Sequence, residues 1–231
     1  AMLFYNANFV QKSRLDPPTL RASTAFARIA IESLSQHVGT EAVRKPTSAE
    51  ALDKLGRVRL SKHFFMRDML YSEIAQVHGL LNAPDDPELA IEAGTRLCED
   101  LLEPIQERWG RITIRSAYRS AEVNALGNAM QKAGKAGYNC ASNEANFGRH
   151  IWDRLDANGH KGAMACVVIP AFADAHPEEG GWQVLARWID ETLPYSSLHF
   201  FPKLWAVNVG WHEVPERRID SYAVPKGRWN R

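Results

Sequence analysis

Apolar and polar positions follow two different rhythms along this chain. From 112 to 115, Ile112, Thr113, Ile114 and Arg115 alternate with period two, the pattern of a half-buried strand. Ser116 breaks the alternation, and Tyr118, Arg119 and Ser120 follow before Ala121–Ala133, whose composition predicts a helix. Gly162–Pro170 is an unbroken apolar run of small residues and predicts a buried strand. Leu198–Phe201 and Ala206–Trp211 read as two more strands, separated by Pro202 and Lys203. Glu88–Trp109 carries Leu89, Leu97, Leu101 and Leu102 on one stripe, a helix that Gly110 stops as a left-handed cap. Trp182–Leu193 shows the same helical period. The spacing predicts further helices over Thr19–His37, behind Pro17 and Pro18, and over Ser48–Leu55, with Ser48 as N-cap.

Helices first, then strand, helix, strand, helix, strand, strand, imply an α+β domain in which helices cover one side of a small antiparallel sheet. The reading divides the chain into an N-terminal helical extension (1–58), a main domain (59–214) and a C-terminal tail (215–231) that wraps the surface.

Composition narrows the function classes. With 28 basic and 27 acidic residues the net charge is +1, so no strong field points to nucleic acid or an anionic membrane. No apolar run approaches a membrane span. Three cysteines, Cys98, Cys140 and Cys166, have no framework spacing, which suggests reduced thiols. With no secretory leader in view, the expected location is the cytoplasm, phage-type release being the route outward for an enzyme of the cell wall.

The stretch Ile112–Asn124, ITIRSAYRSAEVN, resembles the strand and turn of the D-alanyl-D-alanine carboxypeptidase family of zinc peptidases, whose fold is shared with the Hedgehog signalling domain. Leu60–Phe64 (LSKHF), Asp68–Ser72 (DMLYS), Leu81–Pro84 (LNAP) and the helix end Leu102–Gly110 resemble successive elements of the same family, over roughly residues 60–214. The resemblance implies a zinc ion on the sheet face, held by a His and an Asp of an S-x-H-x-x-G-x-A-x-D motif and by a His of the last strand. Three protein ligands leave one position for a water whose pKa the metal lowers, and a nearby carboxylate takes its proton. An Arg from the turn binds the substrate carboxylate.

Carried over to this chain, the resemblance implies Ser116, Tyr118 and Arg119 as substrate-binding residues and His212 as the last-strand ligand. The middle motif departs from the family. If Gly162 sets the register, Cys166 stands in place of the Asp and Gly159 in place of the His; if His160 sets it, Val167 replaces the Asp. A third option uses His150 and Asp153, one turn apart and therefore able to face one point. Val209 stands where some members carry Glu. The metal candidates are thus His150, Asp153, Cys166 and His212, and no catalytic residue is assigned. Two functions stay open: a zinc-dependent hydrolase of cell-wall peptides with an altered site, or a non-catalytic binding or assembly protein that keeps the fold without metal. The corresponding partners are a peptide or peptidoglycan fragment, and a protein met through the N-terminal extension.

Overall fold

Six strands form one sheet in the order β1-β2-β4-β3-β5-β6: Thr113–Ser116, Gly162–Val168, Ser197–Phe200, Val207–His212, Arg218–Ser221 and Gly227–Arg228 are β1 to β6. The sheet belongs to a computed structural model that describes residues 44–229. The expected helix over Thr19–His37, and any partner site on that segment, lie outside the described residues. Neighbouring strands run antiparallel except β3 and β5, which are parallel. The expected α+β class and the three strands placed at 112–115, 162–170 and 206–211 are therefore present in one sheet. No helix among the described residues is long and apolar enough to cross a membrane.

The tail differs from expectation. Beyond residue 214 the chain does not wrap the surface; it lays Arg218–Ser221 beside β3 and Gly227–Arg228 beside that strand. Ile219, 4% exposed, anchors the strand in the core between charged neighbours. Alternation over four residues, with arginine and aspartate on the outward positions, is too short and too polar to stand out in a sequence. β2 ends at Val168, because Pro170 starts a short helix, Pro170–Ala175, at the position where its missing N–H costs nothing.

One long helical path crosses the sheet. It runs as Pro87–Leu97, a π turn Cys98–Leu102, and Glu103–Trp109. Pro104 explains the wider turn: it lacks an N–H and its ring would strike the carbonyl four residues back in a regular ladder. Gly110 ends the helix with φ +99° and ψ 178°, a glycine-only conformation but not the left-handed cap expected.

The helical path packs against the face of the sheet that carries Ala163, Ala165, Val167, Leu198, Val207 and Val209, all buried. Trp152 closes the same core, and Gly94 makes room for its ring: a Cβ there would lie 2.7 Å from Trp152 Cζ3. Each large side chain buried in this way contributes roughly 2–3 kcal/mol. The helix Ala49–Gly56, capped by Ser48 as expected, adds Leu55 to the same core. The described residues 44–229 fall within one compact unit, and the 49–56 helix is part of it.

Candidate functional site

Strand register brings five polar or sulfur side chains into line on the other face of the sheet. Ser116 pairs with Cys166, Cys166 with Asn208, Asn208 with His199, and His199 with Asp220. Neighbours in such a row stand ~4.8 Å apart. Two cavities open on this face and share Asn208 as a wall residue. One, of about 470 Å³, is lined by Arg115, Ser116, Arg119, His150, Cys166 and Glu73, among others. The other, of about 710 Å³, includes His199, His212, Asp156, Asp220, Arg218 and Trp211.

The first cavity is built on the turn after β1. Asn82 holds that turn from outside: its side-chain N–H groups donate to the carbonyls of Leu70 and Tyr118, and its Oδ1 accepts from Ser120 N–H at 2.8 Å. Ser120 then caps the helix Ala121–Lys132 through Val123 N–H. Arg119, 9% exposed, is fixed by this geometry. Its guanidinium donates to Asn124 Oδ1 at 3.0 Å, Cys140 Sγ at 3.1 Å and Ser116 Oγ at 3.3 Å. All three partners are neutral, and Arg119 makes no ion pair among the described residues. Arg115, exposed at the cavity rim, makes none there either.

His150 lines the same cavity and is 8% exposed. Its Nδ1 donates to the Ala117 carbonyl at 2.9 Å, while the His150 carbonyl accepts from Arg119 N–H at 2.8 Å. Burial, joined by the Arg119 charge, pulls the imidazole pKa down to about 3, so the ring is neutral at physiological pH. Cys166 sits on the sheet side of the cavity, 8% exposed; burial pushes its thiol up, against the opposing pull of Arg115 and Arg119. Ser116 also lines this cavity, its hydroxyl oxygen accepting from the Arg119 guanidinium.

Two expected site residues face elsewhere. Tyr118 is 1% exposed and packs edge-on against Trp152, ring centroids 6.0 Å apart, so it is a core residue and not a substrate contact. Burial and the facing Asp153 carboxylate drive its phenol pKa far upward. Asp153 does not share a point with His150. Trp152 lies between them in sequence, and Asp153, 3% exposed, turns the opposite way to accept from Asp85 N–H at 2.7 Å. An i, i+3 spacing brings side chains together on a helix, but residues 147–154 are turns and isolated bridges.

His212 stands at the far end of the sheet face, opposite Gly162 rather than Cys166. Its Nδ1 lies 2.9 Å from the Val214 carbonyl and its Nε2 3.3 Å from Asp156 Oδ2. His160 reaches the same carboxylate at 3.7 Å. The four metal candidates thus occupy three places: His150 and Cys166 in one cavity, His212 in the other, Asp153 in the core. No three His, Cys, Asp or Glu side chains among the described residues are arranged to hold a metal ion. The donor set taken from the resemblance does not fit a zinc centre, which needs its ligands to converge at about 2.0–2.3 Å.

Sequence reading missed His199, Asn208 and Asp220. His199 packs edge-on against Tyr222 and at a tilt against Phe201, with centroids 4.3 and 5.1 Å away, and its Nε2 is sealed with no hydrogen-bond partner among the described residues. Burial lowers its pKa, opposed by Asp220. Period two along each strand does place Ser197 with His199, and Asn208 with His212; the cross-strand register that joins the two strands was the absent information. No known protein family, no curated protein and no solved structure matches this chain.

Proposed function

We propose that this protein is a divergent relative of the D-alanyl-D-alanine peptidase and Hedgehog fold that acts as a binding protein, its sheet-face cleft taking the carboxylate end of a peptide without metal. Arg119 receives the carboxylate and Ser116 steers the guanidinium. The observation that carries the reading is a buried cation with neutral partners at a cavity wall. An uncompensated buried charge costs several kcal/mol, and an anionic ligand supplies the missing counter-charge. Arg115 at the rim adds attraction for the same anion. A cell-wall peptide ending in a free carboxylate is the ligand class that the family resemblance suggests.

Titration calorimetry tests this with N-acetyl-L-lysyl-D-alanyl-D-alanine as the free acid and as its C-terminal amide. The acid should bind at least ~10-fold more tightly, a difference of about 1.4 kcal/mol. Equal binding of the two overturns the carboxylate reading. Cleavage of the acid by zinc-loaded protein, and not by protein in chelator, favours the hydrolase instead.

A further inference from the structure

Arg119 answers the charge of a ligand but leaves open what distinguishes one carboxylate from another. The second polar group fixed on the cavity wall is His150. A carbonyl oxygen only accepts, so the bond to Ala117 places the ring proton on Nδ1 and leaves a lone pair on Nε2. Among the described residues Nε2 makes no hydrogen bond, and it is not one of the sealed polar atoms. The ring cannot swing freely, since the Arg119 N–H to His150 carbonyl bond and the Nδ1 to Ala117 bond clasp the same two segments twice. The cavity therefore presents guanidinium donors beside one fixed neutral acceptor.

The other acceptors on the wall are of different character. Glu73 sits at the exposed rim, Asn139 and Asn208 can turn either end of their amides inward, the Ser116 hydroxyl and the Cys140 sulfur already accept from Arg119, and the Cys166 sulfur accepts weakly. His150 alone combines burial, a fixed tautomer and a strong acceptor atom.

We propose that His150 is a specificity residue of this cleft, its Nε2 accepting a hydrogen bond from the amide N–H of the ligand's C-terminal residue while Arg119 holds the carboxylate of that residue. The assignment rests on the reading of the cleft as a peptide-carboxylate site. Within one terminal residue the amide nitrogen lies ~3 Å from the nearer carboxylate oxygen, so its two receptors must be neighbours; Arg119 and His150 line the same cavity, with the guanidinium charge acting on the imidazole. Burial keeps the imidazole neutral, and thus an acceptor, across the physiological range. The ligand class narrows accordingly, from any carboxylate to a peptide whose last link is an amide. A depsipeptide, in which an ester oxygen replaces that N–H, opposes one lone pair to another and is rejected.

The test uses the full chain and two probes, N-acetyl-D-alanyl-D-alanine and the corresponding ester N-acetyl-D-alanyl-D-lactate, on wild type and His150→Phe. Wild type should prefer the amide by at least ~10-fold. His150→Phe should bind both alike, near the affinity of wild type for the ester. Nitrogen-detected NMR of the wild-type histidines supplies a readout that needs no variant: His150 should show the Nδ1–H tautomer, unchanged from pH 8 to pH 5. An Nε2–H tautomer, a wild-type protein blind to the amide, or discrimination that survives in His150→Phe overturns the assignment. Loss of acid-over-amide preference at the C-terminus would remove the parent reading with it. Carboxylate-dependent binding that ignores the ester exchange removes only the role of His150.

Discussion

Arg119 and His150 hold each other in place: the Arg119 backbone N–H donates to the His150 carbonyl at 2.8 Å, and His150 Nδ1 donates back to the Ala117 carbonyl at 2.9 Å. The loop that follows the helix Asn143–Asn146 is thereby tied to the turn that follows β1. Two segments about thirty residues apart become one wall of the cleft, and the imidazole is aimed by the backbone of the turn that carries Arg119.

Because the partners of Arg119 are neutral, its removal should spare the fold. In Arg119→Met, Asn124 Oδ1 still accepts from Asn146 Nδ2 at 3.1 Å, so no buried acceptor is stranded. Denaturant titration should show stability unchanged or raised by about 1 kcal/mol, as when a buried ion is replaced by an apolar side chain of similar volume. Arg119→Lys should fold normally and bind the peptide acid ~10-fold more weakly, the planar fork being lost. A drop in stability of several kcal/mol in Arg119→Met would instead assign the guanidinium to structure.

His150 makes stability depend on acid. Its ordinary pKa of 6.5 applies in the unfolded chain, and about 3 applies in the fold. The unfolded state therefore takes up a proton first as pH falls, so this contribution is fully present above 6.5 and is lost progressively toward 3. The loss is at most about 1.4 kcal/mol per pH unit. The difference between wild type and His150→Phe, followed by denaturant titration from pH 7 to pH 4, should shrink along that slope. A pH-independent difference would place the imidazole in solvent.

Asp153→Ala should lower stability by about 1–3 kcal/mol, since it strands the Asp85 N–H and removes a carboxylate facing Arg154. Zinc affinity, measured by competition with a chromophoric chelator, should be the same in variant and wild type. A selective loss of zinc binding would return Asp153 to the list of ligands.

Gly162→Ala probes the closeness of β2 to the 147–150 turn. A Cβ at 162 would lie 2.1 Å from the Gly148 carbonyl oxygen, a backbone atom with no rotamer to change. The thermal midpoint should fall markedly, with a cost of about 2–3 kcal/mol or more. A neutral substitution would mean that the turn yields at little cost.

Local patterns sufficed for much of the architecture. Period two marks Ile112–Arg115, the apolar run marks Gly162–Val168, and Ser48 announces its helix, because each signal comes from neighbours in sequence. The turn bearing Ser116 and Arg119 was legible for the same reason, and both line the cleft. Tyr118, one position before Arg119, turned inward, since the turn points successive side chains to opposite sides and Trp152 offers an apolar partner. The remainder depended on tertiary structure. Whether His150 meets Asp153 is decided by a loop without helical period, and whether Cys166 faces His212 or Asn208 by a register that one strand cannot specify. The sequence alone determined the strands at 113–116, 162–168 and 207–212, the Ser48 cap and the cation; only the packed sheet decided which side chains would share a cavity, because that is fixed by hydrogen bonds between segments far apart in the chain.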